Sequence, residues 1–388
     1  MLAKTPPMGF NTWNTFGENI DETVIRETAD AMVSTGLLEA GYEYLVIDDC
    51  WSEKERDPVT GKIIPDHIKF PNGMKAVSDY VHSKGLKFGM YSCAGTRTCA
   101  DYPASFGHEF LDAETFAEYG ADYLKYDYCF RPAHNDGDLM YRRMGLALKA
   151  CGRDILFSAC NWGADDVHNW IRSTGAHIYR STGDINDSFP SMRDIALSQV
   201  KYLPYAAPGC FNDIDMLTIG MYGKGNVGSS GCNDTDYKTQ FALWCMFASP
   251  LMLGGDIRTF SEATLKLVKN RNLIRINQDE EGRPAFDVSM HLDRNADGDK
   301  KLVSDNSSTK VFFRHLSGNE FAVLFVNFDE SERNVWFYMS DAGIPVESGY
   351  GLDMVDVFTN ESIGVYKEFM GRRIKAHDCE CYICRLVK

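Results

Sequence analysis

Short apolar runs of strand length alternate with amphipathic segments of helix length through most of the chain, and this alternation limits the fold more than any single motif. The strand-like runs cover residues 8–13, 42–49, 86–91, 123–129, 155–160, 177–180, 211–216 and 251–256. Between them lie helical patterns. Asp21 caps one in which Val24, Ile25, Ala29, Met32 and Val33 recur at helical spacing, and another, 236–248, carries Phe241, Leu243, Trp244, Met246 and Phe247. Eight strand-then-helix units within about 280 residues are the count and length of a (β/α)8 TIM barrel. From about residue 290 the texture changes to short runs such as 310–313, 321–325, 335–338 and 382–386, separated by turns, which predicts an antiparallel β-sandwich. The expected division is a barrel over 1–285 and a β domain over 290–388 that covers the barrel's flank.

The run 123–129 contains a carboxylate, Asp127, with a cation, Lys125, two residues before it. On a strand such residues share a face, so Lys125 and Asp127 point one way while Leu124 and Tyr126 point the other. A structural ion pair is the plain reading of two such charges. Repetition argues for more. Asp48 and Asp49 close the second run, Asp184 follows the sixth and Asp215 lies in the seventh, and a barrel active site is built from residues at the C-terminal ends of several strands.

A retaining glycosidase needs one carboxylate as nucleophile and a second as acid/base across the sugar. Asp127 suits the first role, because the cation at Lys125 favours its ionised form. Asp184 suits the second, with its proton held by burial or by the charge on Asp127 against the pull of Arg180. Asp48, Asp49 and Trp13 offer acceptors for hydroxyls and an aromatic floor for a sugar's C–H face. The same residues leave other readings open: an Asp at a loop start also caps helices, and Asp48, Asp49, Asp127 and Asp215 also suit a divalent metal. No His-x-His or paired-Glu pattern supports the metal. The glycine-rich stretch 220–231 lacks the Gly-Lys-Ser/Thr end of a phosphate loop and reads as a mobile rim loop.

The formal charge of −15 and the lack of a Lys/Arg run argue against nucleic acid and anionic membrane as partners. No apolar run reaches about 18 residues and the start has no segment of signal-peptide length, so a soluble, cytoplasmic protein is expected. The 12 cysteines are scattered, and most sit in apolar contexts where a reduced buried thiol is the default. Cys379 and Cys381 face one side of a strand and Cys384 the other, which disfavours zinc there.

The segments 6–14 (PPMGFNTWN), 47–51 (IDDCW), 123–127 (YLKYD), 180–185 (RSTGDI), 211–217 (FNDIDML) and 248–252 (ASPLM) closely resemble the motifs of glycoside hydrolase family 27. They follow the family's order through the whole barrel, and the β tail is also as in the family. The resemblance implies a retaining exo-α-galactosidase without cofactor or metal, acting on terminal α-D-galactosyl groups. It assigns Asp127 as nucleophile and Asp184 as acid/base. It places Asp48 and Asp49 on the 4- and 6-hydroxyls, Lys125 on the 3- and 4-hydroxyls and Arg180 at the 2-position. Trp13 and Met216 form apolar walls, and Tyr91 lies at a strand end that lines the pocket.

The choice of sugar turns on Cys160-Asn161-Trp162-Gly163, where plant-like α-galactosidases carry Cys-Glu-Trp-Gly. Trp162 against C2 excludes a 2-acetamido group, which favours galactose over N-acetylgalactosamine. The pair Asp48 and Asp49 argues against a β-L-arabinopyranosidase, whose sugar lacks the C6 arm. A catalytically dead galactose-binding protein would have lost one of the two carboxylates. The family often has Asp at the position of Cys93, and often a disulfide matching Cys99–Cys129, which if oxidised closes a loop worth roughly 3 kcal/mol. The usual partner of Cys50 is missing near Glu18 and Asn19, as suits an intracellular protein. A homo-oligomer is left open.

Overall fold

The computed structural model describes residues 2–134, 136–289, 292–294, 300–302 and 308–388. Its first part runs β1 (Met8–Asn11), α1 (Trp13–Phe16), α2 (Glu22–Ser34), β2 (Tyr44–Val46), α3 (Gly73–Ser83), β3 (Lys87–Cys93), α4 (Glu109–Tyr119), β4 (Tyr123–Asp127), α5 (Gly137–Ala150) and β5 (Leu156–Cys160). It continues with β6 (Ile178–Arg180), α6 (Phe189–Gln199), β7 (Phe211–Asp213), α7 (Asp234–Met246), β8 (Leu251–Leu253), α8 (Glu262–Val268) and α9 (Arg271–Asn277). All eight strands are parallel, in the order β7-β6-β5-β4-β3-β2-β1-β8. The ring closes between β7 and β8, where Leu217 just beyond β7 pairs with Leu253 and its N–H donates to the Met252 carbonyl at 2.8 Å.

Inward-facing side chains fill the barrel with Tyr44, Val46, Tyr123, Leu156, Ile178, Phe211 and Met252. The Tyr44 and Tyr123 rings meet at 5.5 Å. Glycines make room beside the bulky members of this layer. A Cβ on Gly9 would fall 2.3 Å from the Tyr44 carbonyl oxygen, and one on Gly89 would fall 2.6 Å from a Val46 methyl. On the outside the helices bury apolar stripes, and Asp21 caps α2 by accepting from the Val24 N–H at 2.8 Å.

Several strands are shorter than the apolar runs that mark them. Trp13 begins α1 rather than ending β1, and the pairing of β2 stops at Val46, so Asp48 and Asp49 stand in the loop. The connection from β5 to β6 is not the α-helix that the strand-then-helix alternation calls for but two 3-10 segments, Ala164–Asn169 and Ile171–Thr174. Left-handed backbone at Asp165 and Asp166 is incompatible with a continuous α-helix.

The rest of the chain forms β9 (Phe286–Asp287), β10 (Leu292–Arg294), β11 (Lys300–Leu302), β12 (Thr309–Leu316), β13 (Glu320–Asn327), β14 (Arg333–Tyr338), β15 (Gly351–Asp356), β16 (Ser362–Tyr366), β17 (Phe369–Ile374) and β18 (Cys379–Val387). Six of these make an antiparallel sheet in the order β16-β15-β18-β13-β12-β9, and β14 pairs with β17 in a separate ribbon. The large sheet is buried on both faces. Phe312, Ala322, Leu324, Val326, Cys379 and Cys381 join the barrel's outer core, while Val311, Phe313, Val323, Phe325, Tyr382 and Cys384 pack with β14 and β17. The terminal cysteines therefore divide between two cores.

Helix α7 is apolar on nearly every side because it lies between barrel and sheet. Its C-terminal carbonyls are met by Arg314 of β12, a fully buried guanidinium that donates to the Cys245 carbonyl. Among the described residues no helix is long and apolar enough to cross a membrane. Replacing Gly9 with Ala should destabilise the chain by about 1–3 kcal/mol through overpacking the barrel interior, read as a lower denaturant midpoint at unchanged slope. An unchanged midpoint would mean that this layer is not close-packed.

Candidate active site

The C-terminal ends of the strands open into one pocket lined by Trp13, Asp48, Asp49, Tyr91, Lys125, Asp127, Trp162, Arg180, Asp184 and Met216. Cys160 lies in a small chamber toward the barrel interior that it shares with Ser158, Lys125, Arg180, Asp213 and Asp215 and whose walls also include Tyr123, Met216 and Met252. The pocket also takes in Asn14, Cys99, Ile185, Asp215 and Val227. Of these the sequence offered only Asp215, as a metal ligand, and Cys99, as half of a disulfide.

Asp127 is the last residue of β4 and is buried. One of its oxygens accepts from the Tyr128 N–H and the other from the Tyr91 hydroxyl, both at 2.9 Å. Burial raises its pKa above the ordinary carboxylate value, against the lowering effect of Lys125 and Arg180. Lys125 does favour the ionised form of Asp127, as expected, but burial outweighs it. The Lys125 ammonium itself goes to Asp48, at 2.8 Å, because the curl of the barrel brings the end of β2 over the inward face of β4.

Asp48 is the most completely satisfied carboxylate of the group. It accepts from Asn11 Nδ2 at 2.7 Å and from the Asp49 N–H at 2.9 Å, and its own N–H donates to Thr12 Oγ1 at 3.0 Å. With Lys125 already neutralising it, Asp48 is a poor ligand for a divalent ion. Asp49 accepts only from neutral groups, the Cys50 and Ala100 N–H among them. Burial pushes its pKa up to about 6 despite those bonds, with the Asp48 charge adding to the rise.

Arg180, at the end of β6, is buried and heavily engaged. Its Nε and Nη2 donate to the Thr182 carbonyl at 3.2 and 3.1 Å, Nη1 reaches Cys160 Sγ at 3.5 Å, and Nη2 pairs with Asp184. Partial desolvation raises the Asp184 pKa, but the charge and hydrogen bond of Arg180 outweigh it and hold the group below the ordinary value, so the expectation that burial or the Asp127 charge would keep its proton is corrected. On its other side Arg180 Nε lies 3.7 Å from Asp215. Asp215 accepts from the Ile185 and Met216 N–H at 2.8 and 2.7 Å, and its carbonyl accepts from Trp244 of α7 at 2.7 Å. Asp213 has its pKa pushed up to about 6 by burial and by the Asp215 charge.

The departures from the family pattern have local explanations. Asn161 folds its own loop, donating to the Ala164 carbonyl at 2.8 Å and accepting from the Gly163 N–H at 3.2 Å. That turn sets Trp162 in left-handed backbone at the pocket wall. Cys93 is fully buried, with Sγ 3.3 Å from the Cys129 carbonyl and 3.4 Å from the Gly95 N–H. Cys99 and Cys129 are bonded to each other, which places their bridge against Asp127, with Cys99 Sγ 3.8 Å from its carboxylate. Cys50 is free.

The glycine-rich stretch expected to be a mobile rim loop is tied down. The Asn226 and Val227 N–H groups donate to the Thr15 and Asn14 carbonyls, both at 3.1 Å, and the Asp187 carboxylate accepts from the Gly223 N–H at 2.6 Å.

Residues 5–279 match the model of the family described as Alpha galactosidase A, a span that holds every residue of the pocket. The chain belongs to that family, glycoside hydrolase family 27. It is 41% identical over 383 residues to the alpha-galactosidase of Cyamopsis tetragonoloba, covering 98% of this chain and 86% of that one. It is also 41% identical over 387 residues to the alpha-galactosidase of Coffea arabica, covering 98% and 94%. The crystal structure of alpha-galactosidase I from Mortierella vinacea matches at a TM-score of 0.87 and 31% identity, over 99% of this chain and 97% of that one. As a member of the family the protein is a glycoside hydrolase.

Replacing Lys125 with Met leaves the buried Asp48 without its cation. The loss in stability should be about 3 kcal/mol near neutral pH, measured by denaturant unfolding, and a loss under about 1 kcal/mol would show that the pair is dispensable.

Proposed function

We propose that this family member is a retaining exo-α-galactosidase in which Asp127 is the nucleophile and Asp184 the acid/base. The observation that carries the reading is that both carboxylates line one pocket whose remaining walls hold Asp48, Asp49, Lys125, Trp13 and Met216. Asp48, Asp49 and Lys125 present acceptors and a donor to the ring hydroxyls, and the two apolar side chains take its C–H faces.

An ionised Asp127 attacks the anomeric carbon as the bond to the leaving oxygen breaks, and Asp184 gives that oxygen its proton. The product is a galactosyl ester on Asp127. Asp184 then takes a proton from water, the water oxygen attacks the same carbon, and Asp127 leaves as carboxylate. The configuration is retained.

Without sugar the two carboxyls are biased away from these roles, since Asp127 is raised and Asp184 is lowered. A sugar 2-hydroxyl that engages Arg180 weakens the Arg180–Asp184 pair and lets Asp184 recover its proton. Binding and protonation are thereby coupled through one guanidinium.

Nitrophenyl glycosides of three sugars test the substrate. The α-D-galactoside should exceed the α-N-acetylgalactosaminide and the β-L-arabinopyranoside by about 100-fold or more in kcat/KM. Preference for either alternative would overturn the galactose reading. Asp127→Ala should lower turnover by about 10⁴-fold, with the fold retained by circular dichroism.

The pH profile tests the coupling. Arg180 lowers the pKa of both Asp127 and Asp184, so Arg180→Ala raises both. The acid limb of kcat/KM, set by ionisation of Asp127, and the alkaline limb, set by loss of the Asp184 proton, should both move to higher pH. Limbs that stay in place would contradict the coupling.

A further inference from the structure

Three residues beyond Asp184 lies a second carboxylate that the proposed chemistry does not use. Asp187 is fully buried, and among the described residues no lysine or arginine lies within salt-bridge distance of it. Its charge is met by neutral donors. The Gly223 N–H lies at 2.6 Å, the Cys232 N–H at 3.4 Å, and the Tyr237 hydroxyl of α7 at 3.0 Å from both oxygens. The same hydroxyl accepts from the Tyr222 N–H at 2.7 Å. The main chain of Asp187 repeats the attachment, its N–H donating to the Val227 carbonyl at 3.0 Å and its carbonyl accepting from the Gly231 N–H at 2.9 Å. One residue thus clamps both ends of the glycine-rich loop. Burying a carboxylate without a cation is costly, and a fold that only needed to close a turn could do so with a neutral side chain.

What the clamp holds is the segment that carries Asp184. Upstream of Asp184 the Thr182 carbonyl is held by the Arg180 guanidinium, and Gly183, between Thr182 and Asp184, stands in open space, where a Cβ would meet nothing within 4 Å. Downstream the chain is fixed twice, by the Ile185 N–H on Asp215 and by Asp187. The Asp184 side chain itself is 74% exposed and pairs with Arg180, the group from which it must part to receive a proton. Once that pair opens, the direction of the Asp184 carboxyl depends on the backbone on either side of it.

We infer that Asp187 is a positioning residue for proton transfer: through Tyr237 and the glycine-rich loop it holds the 184–187 turn so that the Asp184 carboxyl stays over the leaving oxygen. The inference rests on the proposed role of Asp184. An amide at 187 cannot accept from all of these donors, because its NH2 faces one of them. The turn then gains freedom while Asp127 and the sugar contacts stay intact. The loss should fall on steps that need the acid and spare those that do not.

Asp187→Asn, Tyr237→Phe and, as reference, Asp184→Asn are to be compared on methyl α-D-galactoside, whose leaving group needs a proton, and 2,4-dinitrophenyl α-D-galactoside, whose leaving group does not. Asp187→Asn should lower the galactosylation rate on the methyl glycoside by about 10- to 100-fold and that on the dinitrophenyl glycoside by less than about 3-fold, with KM changed little on both. Tyr237→Phe, which removes one donor and keeps the ring, should show the same selectivity at smaller size, and it carries the test if Asp187→Asn does not fold. Equal losses on the two substrates in the variants at 187 and 237, beside a selective loss in Asp184→Asn, would overturn the positioning role alone. A non-selective loss in Asp184→Asn itself would overturn the acid/base assignment on which the inference depends.

Discussion

The site depends on a shortage of cations. Asp48, Asp49, Asp127, Asp184, Asp213 and Asp215 crowd the mouth of the barrel and the chamber beneath it, and among the described residues Lys125 and Arg180 are the cations that share this space. Like charges crowded together on buried side chains cannot all ionise freely. Lys125 is given to Asp48, Arg180 to Asp184 and Asp215, and the others rely on neutral donors or on holding a proton. Asp49 and Asp213, each pushed up to about 6, show the cost of going without a cation. A pocket of this kind is prepared for a ligand rich in hydroxyls, because each hydroxyl can donate to one carboxylate and accept from a cation.

That arrangement is supported from far outside the pocket. The C-terminal sheet packs on α7, and Arg314 of that sheet bonds the carbonyls at the end of α7. From α7, Trp244 donates to the Asp215 carbonyl and Tyr237 donates to Asp187. Asp215 and Asp187 in turn fix the segment on which Asp184 stands. The sheet, which contributes no residue to the pocket, thus backs the helix that orders one half of it. This gives the covering role read from its sequence a physical content.

The shared face of Lys125 and Asp127 follows from the two-residue period of a strand and needs no tertiary information. The partner that Lys125 chooses does not follow, because Asp48 reaches it only through the curvature of the barrel. The burial that raises Asp127 was invisible for the same reason, since desolvation depends on what closes over the strand end. The eight units were legible from apolar periodicity, whereas the 3-10 segments between β5 and β6 depend on left-handed residues, Asp165 and Asp166, that propensity does not mark. The stretch at 220–231 read as mobile because glycine usually signals freedom. Here the glycines allow the backbone to approach Asn14 and Thr15 closely, and a Cβ on Gly225 would lie 3.0 Å from both the Asn14 carbonyl oxygen and the Thr15 Cα.

The central claim is that one buried carboxylate at the end of β4 forms an ester with the sugar. Intact-mass and peptide mass spectrometry of the Asp184→Ala variant, quenched during turnover of 2,4-dinitrophenyl α-D-galactoside, tests it directly. Without the base that activates water the ester should accumulate, giving a mass increase of one hexosyl unit confined to the peptide that contains Asp127. A hexosyl adduct on a peptide lacking Asp127, or none under conditions where dinitrophenol is released in a burst, would contradict the account.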